Sequence, residues 1–201
     1  PPSVGEVLTM CEDYRGQTDG FFDARRPDGV VDPSGIVKTW AVSRATWRLD
    51  GLGSIGYLVG ASGDAVAVGT AADGRAWRVG IADPRRPDDP QGAAVVDVVE
   101  LGPGGSGCSS IATSGTAQMG DHIWNPLLKT RSSMYAQVSV AGRDLVECDA
   151  WATAIVAGGA TVAIAAQTKG LEVLCIPVGG GVGTGPLACE SSPGWPGRQG
   201  R

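Results

Sequence analysis

Residues 150 to 168 read AWATAIVAGGATVAIAAQT, 19 positions without a charge. Such a run has to leave water, so it fixes where the core of this chain lies. Its length is close to the roughly 20 residues of a membrane span. Its composition argues against one. Only four of the residues are Ile or Val, most are Ala, Gly or Thr, and Gly158-Gly159 divides the run in two. The segment therefore reads as a pair of buried helices, near 145–157 and 160–168, and no transmembrane segment is expected.

The remaining sequence suits one domain of 201 residues. Hydrophobic residues make up 42%, enough to fill a core, which excludes wholesale disorder. The 32 Gly and 13 Pro show no G-X-Y period and predict many tight turns. Net charge is −5 with pI near 4.8, which speaks against a nucleic-acid partner. Cys11, Cys108, Cys148, Cys175 and Cys189 are far apart and odd in number. They read as mostly buried thiols rather than a disulfide framework. No signal h-region is visible, and localisation stays open.

Along the chain, Ser3-Val4-Gly5-Glu6 reads as a capping box for a helix over 4–15. A second helix starts at Ser34 and stops at Asp50-Gly51, with Ile36, Val37, Trp40, Ala41 and Trp47 on its apolar face. Strands are expected at 55–60, 64–69, 76–81, 93–101, 108–113, 120–124, 135–141 and 171–176. Asp73-Gly74 reads as a hairpin turn, and 83–92 as an exposed loop. Residues 178–201 are Gly/Pro-rich and read as a disordered tail behind a domain over 1–177. The fold class is α+β, with a mixed or antiparallel sheet and packed helices.

Four places carry possible chemistry. Asp32-Pro33-Ser34-Gly35-Ile36-Val37-Lys38 joins an acid, a helix start and a Lys, which suits a phosphate. An ordinary capped helix with a surface Lys fits the same spacing. Gly60-Ala61-Ser62-Gly63-Asp64 offers close backbone approach to a ligand, or simply a tight turn. The third runs from Thr113-Ser114-Gly115 to His122-Ile123-Trp124-Asn125-Pro126 and holds the one His, a candidate base or phosphate contact. In the fourth, Asp149 and Thr153 share a helix face and offer hard oxygen ligands for Mg²⁺. An Asp in the first turn also serves the helix dipole, without any metal.

Together, in this order, these segments resemble the ApbE family, the FAD:protein FMN transferases. The family's Thr-x-Gly-x-Phe-Asp segment appears as Thr18 to Asp23. Its Asp-x-x-Gly-x-x-Lys helix start appears as Asp32 to Lys38, and its Gly-Gly-Asp turn as Ser62-Gly63-Asp64. Trp77 to Pro84, Thr113 to Gly115 with His122 to Pro126, and Cys148 to Thr153 complete the set. The resemblance covers roughly residues 3 to 176. The chain departs from the family's pattern at Ala24, Thr39, Ser62, Met119, Asn125 and Cys148. The strand-bearing segment that normally precedes the first helix has no equivalent here.

The resemblance implies a T-fold-like flavin transferase domain. It implies Mg²⁺-dependent transfer of FMN from FAD to a Ser or Thr hydroxyl of a target protein, with release of AMP. Asp149, Thr153 and the Gly35 carbonyl would hold Mg²⁺. Phe21, Phe22, Asp23, Asp32, Lys38 and Gly63 would contact FAD, together with His122 and Ile123. His122 is the implied catalytic residue. The alternative is a degenerate FAD-binding domain, or an FAD pyrophosphatase that lacks protein transfer.

Overall fold

The computed structural model describes residues 2–86, 94–104, 107–115, 123–131, 134–179 and 188–197. Helix α1 spans Pro2–Gln17 and α2 spans Ser34–Asp50. The strands β1 (Gly56–Ala61), β2 (Asp64–Gly69), β3 (Trp77–Ala82), β4 (Val95–Leu101) and β5 (Ser110–Gly115) follow. Then come β6 (Trp124–Asn125), β7 (Thr130–Arg131), β8 (Tyr135–Gly142), α3 (Leu145–Gly158), α4 (Ala160–Thr168), β9 (Glu172–Pro177) and β10 (Glu190–Ser191). The architecture is the expected α+β arrangement of an antiparallel sheet with packed helices.

The main sheet runs β1-β2-β5-β8-β9-β10, antiparallel throughout. Both of its faces are covered. Ala112, Val138, Val140, Val173 and Cys175 point to the helices, while Ala65, Ala67, Ile111, Ala141 and Leu174 point to the opposite layer. That second layer is the β3–β4 pair, through Ile81, Val99 and Leu101. Burial on both faces shows in β8 and β9, which are buried almost without alternation, although β8 takes Gln137 and Ser139 inside with it.

The uncharged run forms α3 and α4, and α3 crosses the middle of the sheet. Eleven of its residues are buried, including Trp151 at 1% exposure. Gly159 breaks the helices at φ +76° and ψ −152°, a region open to Gly. Its N–H closes α3 on Ile155, and its carbonyl accepts the first N–H groups of α4. No helix among the described residues is long and apolar enough to cross a membrane. The five cysteines, all among the described residues, form no disulfide, and four of them are buried.

Several local expectations are corrected. Ser3 and Glu6 lie inside α1 rather than at its cap, because the helix already starts at Pro2. Glu6 instead accepts from Trp40 Nε1 and Arg44 of α2, each at 3.1 Å. On α2, Thr39 is buried while Val37 and Trp47 are exposed, so the inward face is not the most apolar one. The Asp73-Gly74 turn forms, but it joins β2 to β3, which belong to different sheets. In the expected loop at 83–92, Asp83 is buried and grips the Arg85 guanidinium at 2.7 Å.

Residues 188–197 are not a disordered tail. Glu190 and Ser191 pair with Cys175 and Leu174, and Ser192 bonds Val173 through both main chain and hydroxyl. Trp195 Nε1 donates to the buried Asp97 carboxylate at 2.9 Å, and Gly197 bridges to Val99. The Gly/Pro composition hid a segment held by distant partners. Trp195→Ala removes an apolar contact and one of the donors to the Asp97 carboxylate. A loss of about 1–3 kcal/mol in denaturant unfolding is expected. An unchanged midpoint would show that the segment contributes nothing.

Candidate active site

One cavity of about 510 Å³ lies where α2, α3, the β1–β2 turn, β5 and the loop after α1 converge. Phe21, Phe22, Asp23, Asp32, Gly35, Lys38, Gly63, Ile123, Asp149 and Thr153 all line it. Every described residue that the sequence nominated therefore meets in one place. His122 lies outside the described residues, as does Met119.

Local chemistry sets each wall. Thr18 Oγ1 donates to the Tyr14 carbonyl at 2.8 Å and accepts the Phe22 N–H at 2.9 Å, which fastens the loop to the end of α1. Phe22 is thereby buried and Phe21 half-buried. Asp23 accepts the Arg25 N–H and pairs with Arg15 at 3.0 Å. Asp32 Oδ1 accepts the Ser34 N–H at 3.1 Å and starts α2, so Asp32 rather than Ser34 serves this helix end. Ser62 and Gly63 form the hairpin tip with φ of +48° and +92°.

Gly35 faces α3 at close range. A Cβ there would lie 2.9 Å from Phe22 Cε2 and 3.5 Å from Thr153 Oγ1. The Phe22 ring leaves no room for that Cβ, whereas the Thr153 hydroxyl would be in ordinary contact with it. Thr153 Oγ1 is also 3.1 Å from Ser114 Oγ.

Two buried carboxylates belong to this region, Asp149 in the cavity wall and Asp64 behind Lys38. Asp64 Oδ1 accepts the Thr113 N–H at 3.0 Å, and Oδ2 faces Lys38 Nζ at 2.6 Å. No well-aligned hydrogen bond reaches Oδ2, so it depends on that ammonium. Asp149, only 4% exposed, has Oδ2 2.9 Å from Thr39 Oγ1. Burial, reinforced by the like charge of Asp64, pushes the Asp149 carboxyl up to about 8, against Lys38 and Thr39. Burial also raises Asp64, against Lys38 and the Thr113 N–H. With Lys38 committed to Asp64, the second carboxylate has no cation of its own among the described residues.

This donor set suits Mg²⁺. It is all hard oxygen, with an under-compensated carboxylate beside a hydroxyl and a close backbone. No cluster of three or more His, Cys, Asp or Glu that could hold a metal exists among the described residues. A cation here would complete its shell with water or substrate phosphate, as Mg²⁺ usually does.

Sequence reasoning missed several lining residues. Ser114 lies inside one of the four candidate segments but received no role, and neither did Asp64, which is buried behind Lys38. Arg25, Arg26 and Gln137 also line the cavity, and Thr39 reaches it through Asp149. Only three-dimensional contact reveals these. Asn125 has a structural duty: Nδ2 donates to the Ala157 carbonyl at 3.0 Å while Oδ1 accepts from Leu127 and Leu128. An Asp carboxylate offers no such donor. Cys148 Sγ fills space over Gly142, which has no side chain to obstruct it.

Comparison with known proteins places this geometry. The flavinyl transferase ApbE of Pseudomonas stutzeri, in its apo form, matches with a TM-score of 0.75 at 21% identity, over 96% of this chain and 74% of that one. The flavin transferase ApbE of Vibrio cholerae matches with 0.72 at 20% identity, over 94% and 74%. The ApbE protein of Thermotoga maritima matches with 0.74 at 20%, over 96% and 76%. At such identities the likeness is one of fold. A search of curated proteins gave no match. The model of the ApbE family matches residues 9–175, and on that match the chain belongs to the ApbE family.

Proposed function

We propose that this chain is a flavin transferase, moving FMN from FAD to a Ser or Thr hydroxyl of a target protein and releasing AMP. The observation that carries the reading is the buried Asp149 carboxyl, whose ionised form the surroundings compensate poorly. It stands beside Thr153 and the Gly35 backbone, in a cavity lined by apolar and basic groups.

In this reading Phe21, Phe22 and Ile123 provide apolar contact for the rings of FAD. Gly63 allows the backbone close to the ligand. Asp23 and Asp32, which shape the loop and the helix start, complete the contacts to FAD. Lys38, partly exposed beside Asp64, faces the pyrophosphate and offsets charge that develops as it breaks. Asp149, Thr153 and the Gly35 carbonyl hold Mg²⁺, which when bound would act as a Lewis acid on the phosphoryl oxygens. The acceptor oxygen attacks the phosphorus of the FMN half, and the bond to the bridging oxygen breaks. AMP leaves with that oxygen, and the hydroxyl proton passes to a base. His122, next in sequence to Ile123, takes the acid–base role on its motif alone.

Purified protein with FAD, Mg²⁺ and a flavin-accepting protein should release AMP and attach flavin in equal amounts. Asp149→Ala should lower transfer at least a hundredfold. Unchanged transfer would overturn the metal assignment. AMP release without attachment would favour FAD hydrolysis, and FAD binding without AMP a degenerate domain.

The same carboxylate predicts a pH effect on the metal-free protein. Folded Asp149 keeps its proton up to about pH 8, whereas in the unfolded chain it loses it near its ordinary value of 3.8. The folded state thus loses stability as pH rises from about 4 to 8. Asp149→Asn escapes that loss. In chelator the variant should be the more stable by a few kcal/mol at pH 9, with the gap closing below pH 5. A gap independent of pH would contradict the raised value.

A further inference from the structure

We propose that Thr39 is a positioning residue for the metal carboxylate: its hydroxyl fixes Asp149 Oδ2 and so turns Oδ1 toward the cavity. The inference rests on the assignment of Asp149 as a ligand of Mg²⁺.

Thr39 is fully buried on α2, one helical turn beyond Gly35. It sits where the apolar pattern of the helix would place a hydrophobic residue. Its single hydroxyl proton faces two acceptors, the Ile36 carbonyl at 3.0 Å and Asp149 Oδ2 at 2.9 Å. A charged carboxylate is the stronger acceptor. The helix carbonyl also receives a backbone N–H of its own. The proton therefore goes to Asp149 whenever that group is ionised.

Among the described residues no other side chain hydrogen-bonds Asp149. Thr39 alone selects which oxygen is occupied and which stays open. Asp149 Oδ1 then lies on the cavity side with Thr153, one turn further along α3. The bond also links α2, which carries Gly35 and Lys38, to α3, which carries Asp149 and Thr153. Both halves of the site are kept in register by one hydroxyl.

The test is Mn²⁺ titration of the purified full chain, with free Mn²⁺ read by electron paramagnetic resonance. Wild type, Asp149→Ala, Thr39→Val and Thr39→Ser are compared. Thr39→Val keeps the volume and loses the donor. Its affinity should fall about 10- to 100-fold, as for other groups that orient a metal ligand. Thr39→Ser keeps the hydroxyl and should stay within a few fold of wild type. Far-UV circular dichroism in chelator checks folding. If Thr39→Val is unfolded, Thr39→Ala decides by the same reading. Loss of binding in Asp149→Ala with unchanged binding in a folded Thr39→Val would overturn the role of Thr39 alone. Wild-type binding in Asp149→Ala would overturn the ligand assignment and this inference with it.

Discussion

The site depends on one costly placement, a carboxylate inside the helix that crosses the middle of the sheet. Asp149 is the one charged residue among the buried residues of α3, which are otherwise Leu, Val, Cys, Ala, Trp and Ile. An ionised group there lacks water and pays heavily for its charge unless something compensates it. The structure supplies one hydroxyl from Thr39, while the nearest ammonium is held by Asp64. Metal-free, the group keeps its proton to about pH 8. In the proposed reading a divalent cation would relieve this imbalance.

The fold is what keeps that placement rigid. The main sheet is covered on both faces, by helices on one and by the β3–β4 pair on the other. Helix α3 is therefore caught between the sheet and α2, and its side chains have no freedom to turn outward. The glycines act at contact points in this packing. Gly35 admits the Phe22 ring to one corner, and Gly159 ends α3 at the angle that starts α4. The C-terminal residues 188–197 close the opposite layer through Ser192 and Trp195.

Much of this was legible in the sequence, for local reasons. The uncharged run with its Gly-Gly break predicts α3 and α4 because burial and turn chemistry are written in adjacent residues. Strands β1 to β5, β8 and β9 follow from short apolar runs between turns, whereas β7 was not expected and the strand expected at 120–124 lies mostly outside the described residues. The ten described site residues share one cavity because motifs preserve spacing along elements that converge. What was not legible is pairing between distant residues. Glu6 looks like a cap until Trp40 and Arg44 are beside it. Trp195 looks like tail until Asp97 is found. Thr39 looks like a departure on a helix face, and its duty appears only when Asp149, 110 positions away, is brought within a hydrogen bond.

The central claim is that a divalent cation takes the place of a proton on Asp149. Calorimetric titration of Mg²⁺ at pH 7, repeated in buffers of different ionisation enthalpy, counts the protons released on binding. A carboxyl with a value of about 8 is mostly protonated at that pH. The account predicts release of close to one proton for each ion bound, and none from Asp149→Asn. Binding with no proton released by the wild-type protein would contradict it.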